Sequence, residues 1–257
     1  MLLTALGGET AGASVSDPLG REIRAGFGLI EDSGTAIVEA AEASGAQRLR
    51  PGEQGGSSRG TGELVIAAIE AGAAVVLVAT GGCATNDGGR GAVEAIREAG
   101  GLRGARPVVL SAREPAAHGP PGGGVGLGAT LGSKPAAVAP GPPLGGAGLA
   151  ATLAAELGAR VERGGPFVLE ALGFDDRMRA AKAVITGGRR LDADTLRGGL
   201  VAEVATRARQ GGVPCHAVCG QNALSPFDAR ILDLQRIVEA ATPAALEDAG
   251  AFVAANL

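Results

Sequence analysis

Two stretches hold the residues best suited to chemistry. The first is Val75 to Gly91, V-V-L-V-A-T-G-G-C-A-T-N-D-G-G-R-G, where Gly81, Gly82, Gly88, Gly89 and Gly91 surround Thr85, Asn86 and Asp87. Glycines let a backbone approach a ligand and take positive φ, and bare N–H groups at a helix start attract phosphate or carboxylate. Asp87 adds a carboxylate at the same spot. The second stretch, Val184 to Leu196, reads V-I-T-G-G-R-R-L-D-A-D-T-L. There Thr186, Gly187, Arg190, Asp192 and Thr195 supply a cation, a carboxylate and hydroxyls. Each stretch also has a plainer reading, a glycine-rich connecting turn in the first and an Arg190–Asp192 ion pair in the second.

The elements that must position these residues follow from the apolar pattern. Ala73 to Ala79 is an apolar run without alternation, which suits a strand buried on both faces of a parallel sheet. Its loop lies where α/β proteins place ligands, between a strand's carboxyl end and the next helix's amino end. Arg90 to Ala99, closed by Gly100-Gly101, is that helix. Upstream, Asp17-Pro18-Leu19-Gly20 turns a hairpin between Ala13–Ser16 and Arg21–Ile30, and Thr35 to Ser44 runs from strand into short helix. Thr61 is placed to cap a helix over Gly62–Ala71, with Glu63 at its positive end, a role that competes with ligand binding. Phe167, Leu169 and Leu172 read as core, and Asp175–Ala181 as a short charged helix. The last third alternates strand and helix: Ala183–Gly187, Thr195–Gln210, Val213–Cys219, Pro226–Leu234, Arg236–Ala240, then a helix capped by Thr242 with Pro243 at its first position. Such alternation predicts parallel strands with packed helices.

Composition removes several function classes. Glycine is 45 of 257 residues where average usage of about 7% gives roughly 18, so glycine discriminates only at specified spacings. A net charge of −4, five Phe and neither Tyr nor Trp leave no basic stripe and few stacking platforms, against a nucleic-acid partner. The longest apolar run, Ala71 to Thr80, is far short of the ~20 residues that span a bilayer, so no membrane partner is expected. Cys83, Cys215 and Cys219 form no C-x-x-C pair, which fits a reducing cytoplasm. Cys215, Ala217 and Cys219 share one strand face as small buried residues, and His118 and His216 lack partners at metal-ligand spacing. No protein metal site is expected. Gly119 to Lys134 lacks G-K-[ST] and reads as a Pro/Gly-rich linker, not a phosphate loop.

G-G-C-A-T-N-D-G-G resembles the G-G-S-A-T-N-D-G-G signature of bacterial type I glycerate kinases, with Cys83 replacing serine. Ser58-Arg59-Gly60-Thr61-Gly62-Glu63-Leu64 is similar to that family's S-Y-G-T-G-E-L, and Thr186, Gly187, Arg190, Asp192 and Thr195 match its I-T-G-E-G-R-x-D-x-Q-T. The resemblance implies a two-domain α/β fold: an inserted domain over 1-178 holding the Gly-rich loop, and over 179-257 the C-terminal part of a flavodoxin-like domain. It implies ATP-dependent phosphorylation of D-glycerate with Mg²⁺, giving 2-phosphoglycerate. Asp87, Asp192 and Arg190 would be catalytic. Gly81, Gly82, Thr85, Asn86, Gly88, Gly89, Thr61, Gly62, Glu63, Thr186, Gly187 and Thr195 would bind substrate or phosphate. Asp87 and Asp192 are expected to face one cleft, one orienting the substrate hydroxyl and the other the metal; a homodimer is left open.

Departures accompany the match. Gly188 and Gly199 stand where the family carries Glu and Lys, and Ser111–Pro115 replaces an acidic C-D-V-D-N-P. The family's opening A-P-D-S-F-K-G-S segment is expected to be missing before Met1. The alternative expectation is a catalytically impaired homologue that binds nucleotide or glycerate.

Overall fold

The computed structural model describes residues 2–111 and 145–255. The expected linker Gly119–Lys134, the Ser111–Pro115 replacement beyond its first residue, and His118 lie outside them. The chain forms two compact units, Leu3–Glu162 and Arg163–Leu257.

In the first unit a short helix α1 (Leu2–Ala5) precedes the hairpin β1 (Glu9–Ser16) and β2 (Glu22–Ile30). The strands pair antiparallel, with Val15 opposite Ile23. Asp17 makes the turn because its Oδ1 accepts from the Leu19 and Arg21 amides at 2.8 and 2.9 Å, an Asx-type turn. Then come β3 (Thr35–Glu39), α2 (Ala40–Ser44), α3 (Arg59–Glu70), β4 (Val75–Ala79), α4 (Arg90–Glu98), β5 (Arg106–Ser111), α5 (Gly145–Leu157) and β6 (Arg160–Arg163). The sheet order is β1 to β6 in sequence, antiparallel from β1 to β3 and parallel from β3 to β5. Val76, Leu77 and Val78 of β4 are all buried, as the unalternating run requires. Leu64, Ile96, Leu149 and Leu153 close the core from the helices.

Helix α3 begins three residues earlier than expected, at Arg59, with Ser58 as N-cap. Thr61 is therefore not the cap. It lies inside the first turn, fully buried, its Oγ1 2.8 Å from Ser44 Oγ and donating to Ala40 O at 3.4 Å. A buried hydroxyl keeps a partner because an unmatched one costs roughly 1–3 kcal/mol.

The second unit contains α6 (Gly164–Ala171), α7 (Phe174–Arg179), β7 (Val184–Leu191), a 3-10 turn Ala193–Arg197, α8 (Leu200–Gly211), β8 (Cys215–Asn222), α9 (Pro226–Ile231), β9 (Leu234–Glu239) and α10 (Pro243–Ala254). Strands β7, β8 and β9 are parallel and adjacent in that order. Leu169 of α6 and Met178 of α7 belong to this unit's core, so the boundary falls at 162/163, ahead of 178/179. Phe167 and Leu172 are only partly buried, because α6 turns a single apolar residue fully inward. Cys215, Ala217 and Cys219 line one buried face as the period-2 pattern requires. Thr242 caps α10, its Oγ1 accepting from the Ala245 amide at 3.2 Å.

Two boundaries move. Strand β7 continues past Gly187 to Leu191, and the expected helix from Thr195 splits at Gly198-Gly199, with φ of 124° and 94°, into the 3-10 turn and α8. Those backbone angles suit glycine and end a right-handed helix.

His216 in β8 is 5% exposed, and its Nδ1 has no hydrogen-bond partner. Burial, then the Arg236 charge, push its pKa below the usual histidine value. The unfolded chain takes up this proton near pH ~6.5 while the folded one resists it, so stability falls as pH drops through that range. We expect the urea midpoint of His216→Gln to fall less between pH 7.5 and 5.5 than that of the parent. Parallel slopes would remove His216 from the acid sensitivity.

Candidate functional site

The loop from Thr80 to Gly89 leaves the carboxyl end of β4 and enters α4, the place the sequence assigns to it. Asp87 organises it. Its Oδ2 accepts from the Ser58 amide at 2.7 Å, Ser58 Oγ at 2.9 Å, the Gly91 amide at 3.0 Å and Ser57 Oγ at 3.2 Å. Its Oδ1 accepts from the Gly89 amide at 3.0 Å. Burial disfavours the charged form, but the amides of Ser58, Gly89 and Gly91 and the Ser58 hydroxyl outweigh it and hold the carboxyl below its usual range. One carboxylate thus bridges the amino ends of α3 and α4, where helix dipoles favour a negative charge. Gly91 is required at this junction, since a Cβ there would lie 2.2 Å from Ser57 Oγ and 2.8 Å from Asp87 Oδ2.

The remaining loop donors point elsewhere. Among the described residues the amides of Gly82, Asp87 and Gly88 have no acceptor, and the Thr85 hydroxyl, in a residue 4% exposed, has no partner. Gly82, Gly88 and Gly89 take φ of 75°, 66° and 92°, open to glycine and costly for other residues. Gly81, Gly82 and Asn86 are exposed. Backbone donors of this kind, beside a helix start, form a cradle for an anion. Burial, then the Asp87 charge, push the Cys83 thiol up to about 11, so it stays neutral.

Helix α5 backs the loop. A Cβ on Gly146 would lie 1.9 Å from Thr80 O, and one on Gly89 2.8 Å from Leu149 Cα, so helix and loop touch through their glycines. Thr152 Oγ1 donates to Gly88 O at 2.5 Å. Ser57, Ser58 and Thr152 are contributors that sequence reasoning missed, and Gly91, read as one of the loop's glycines, proves to be a helix-junction residue. The serines stand just before the helix, a capping position that signals them; Thr152 sits in an Ala-rich helix without any such mark.

Thr61, Gly62 and Glu63 come close to the loop's supports instead of its free amides. Gly62 packs on Ala92, and Glu63 accepts from the Ser16 amide at 2.6 Å and pairs with Arg59 at 3.0 Å. The three tie α3 to β1, α2 and α4.

In the second unit Thr186 is buried, and Gly187 lies so near β8 that a Cβ would meet Val218 O at 2.3 Å. Arg190 is a strand residue, opposite Gln221 in register, and not part of a loop. Its Nε donates to Asp192 Oδ2 at 2.9 Å and its Nη1 to Gln221 Oε1 at 2.6 Å. Asp192 caps the 3-10 turn: its Oδ1 accepts from the Asp194 amide at 3.0 Å, while its own amide donates to Thr195 Oγ1 at 3.1 Å. The Arg190 hydrogen bond holds the Asp192 pKa down. The ion pair weighed from the sequence is formed, and both side chains keep an exposed edge, 51% and 34%.

Among the described residues no group of three or more His, Cys, Asp or Glu could hold a metal ion, and no helix is long and apolar enough to cross a membrane.

Comparison with known proteins bears on this arrangement. The profile of the Glycerate kinase family matches residues 1–99 and 127–257. The chain is 30% identical to glycerate kinase of Bacillus subtilis strain 168 over 96% of its length and 79% of that protein's. It is 31% identical to glycerate kinase of Halalkalibacterium halodurans over 85% and 72%. Against glycerate 2-kinase of Escherichia coli K12 it is 42% identical over 37% of the chain, a match spanning 26% of that relative. A crystal structure assigned as glycerate kinase 2 of Salmonella typhimurium LT2 superposes with a TM-score of 0.60 at 26% identity, covering 93% of this chain and 76% of the other. A family profile that runs through both units, and relatives aligned over most of the chain, establish descent: the protein belongs to the glycerate kinase family.

Proposed function

We propose that the protein phosphorylates D-glycerate with ATP, giving 2-phosphoglycerate. The observation that carries the proposal is a group of unpartnered donors in the Thr80–Gly89 loop, among them the amides of Gly82, Asp87 and Gly88 and the buried Thr85 hydroxyl. They suit a carboxylate or phosphate, and phosphoryl transfer depends mainly on positioning and neutralising such oxygens. With its acceptor sites filled by five donors from its own chain, Asp87 serves as a positioning residue. Arg190 offers its exposed guanidinium edge to a phosphate or the glycerate carboxylate. Asp192, held ionised, orients the attacking hydroxyl.

Magnesium fits only as a companion of the nucleotide, because one or two carboxylates plus substrate phosphates suffice for it and no protein cluster is present among the described residues. When bound, it neutralises phosphate charge. The free thiols of Cys83, Cys215 and Cys219 support a cytoplasmic setting.

A coupled assay with ATP, Mg²⁺ and D-glycerate tests the proposal. Asp192→Asn should lower turnover by roughly 100-fold or more, the scale of removing one aligned charged group. It should leave the melting temperature nearly unchanged, since the residue lies at the surface. Turnover equal to that of the parent would strip Asp192 of its role. A second reading, a homologue that binds nucleotide or glycerate without turnover, is favoured by the mutual occupation of Arg190 and Asp192 and by uncharged Gly188 and Gly199. Calorimetric binding of ATP with no product would select it.

A further inference from the structure

We propose that Thr152 is a positioning residue for the anion-holding loop, fixing the orientation of the Gly88–Gly89 peptide through its hydroxyl. The inference rests on the reading of that loop as the ligand cradle and adds a residue from α5 to it.

A Gly-Gly step has two peptide orientations of similar backbone energy, because neither residue carries a Cβ to forbid one of them. Here both polar ends of the Gly88–Gly89 peptide are held. Thr152 Oγ1 donates to the Gly88 carbonyl at 2.5 Å, and the Gly89 amide donates to Asp87 Oδ1 at 3.0 Å. The peptide before it, Asp87–Gly88, is held only at its carbonyl, which accepts from the Arg90 amide at 3.4 Å and from Arg90 Nε at 3.3 Å. Its N–H is one of the loop's unpartnered donors. Thr152 thus keeps the Gly88 carbonyl on the α5 side, so that a carbonyl oxygen does not turn toward the amides that would receive an anion. Without it the peptide is restrained from one end alone, and a flip would place a negative dipole end beside the ligand.

The hydroxyl is placed by close packing. Leu149 and Leu153 flank Thr152 on α5 and are 0% and 1% exposed, and a Cβ on Gly89 would lie 3.1 Å from Thr152 Cβ. The helix therefore cannot slide away from the loop without opening the core. Packing alone needs only the bulk of a β-branched side chain. The hydroxyl needs another reason.

Thr152→Val keeps that bulk and deletes the donor, while Thr152→Ser keeps the donor and deletes a methyl. For Val we expect KM for D-glycerate or ATP to rise roughly three- to tenfold, the scale of one hydrogen bond, with kcat reduced less than KM is raised. Ser should restore KM to within about twofold of the parent. Amide hydrogen exchange gives a readout independent of turnover: the Gly89 amide should exchange faster in Val than in the parent or Ser. A parent chain without turnover or ATP binding would refute the functional reading, and the exchange comparison would still decide the role of Thr152. Unchanged KM and unchanged Gly89 exchange in Val, or Ser behaving like Val, would overturn the proposal.

Discussion

Asp87→Asn is expected to destabilise the first unit by about 2–3 kcal/mol and lower its melting temperature by roughly 4–12 °C. The carboxylate accepts five hydrogen bonds, four on Oδ2 and one on Oδ1. Asparagine must present an NH₂ group to at least one of these donors. The Ser57 and Ser58 hydroxyls can rotate, but the amides of Ser58, Gly89 and Gly91 cannot, so one N–H meets another and a negative charge is lost between two helix amino ends. The pH dependence follows from the lowered pKa. A carboxyl whose folded pKa lies below its unfolded value of about 3.9 stabilises fully above that value, and the benefit disappears as pH falls through the folded pKa. The difference between parent and variant in urea unfolding should therefore hold from pH 8 to 5 and shrink below about pH 4. A difference that vanished already at pH 6 would contradict the account.

Gly62→Ala should be nearly as damaging, although alanine is the better helix former by about 1 kcal/mol. A Cβ at this position would lie 2.3 Å from Ala92 O, 2.8 Å from its Cα and 2.9 Å from its carbonyl carbon. All three are backbone atoms, so no side chain can step aside, and α3 and α4 must separate. Overpacking of this kind costs about 1–3 kcal/mol. Thermal unfolding will show it as a lower midpoint. If instead the midpoint held and only ligand affinity fell, Gly62 would be a ligand contact, as the family match alone suggests, and not a packing residue.

The first unit was largely legible because its signals are local and redundant. An unalternating apolar run, a glycine loop and a helix closed by two glycines all specified the same strand, loop and helix, and β4, the loop and α4 follow them. The hairpin was marked by Asp17 and Pro18, and α10 by Thr242 and Pro243. Strand β7 was less legible because Gly187 to Arg190 carry no alternating side-chain pattern. The ladder to β8 holds them through the backbone, from Gly187 opposite Val218 to Leu191 opposite Asn222. The break at Gly198-Gly199 was written in the sequence as a glycine pair, a recognised interruption that the expected helix overran. For the site, the loop and its aspartate could be read, but what Asp87 does could not. Its donors come from residues 57 and 58 as well as from its own loop, a proximity that only the packing of α3 against α4 creates.

The bracing of the loop is lopsided. From Asp87 to Gly91 it is clamped to two helices, whereas near Cys83 it is tied to Gly45 by a single bridge, with bonds of 2.9 Å from the Ala84 amide to Ser44 O and 3.4 Å from the Ala46 amide to Gly82 O. The loop is thus braced as a vice with one fixed and one yielding jaw. In the proposed cradle the Asp87 side would set where an oxygen docks, and give at Gly81 and Gly82 would fit the loop to it.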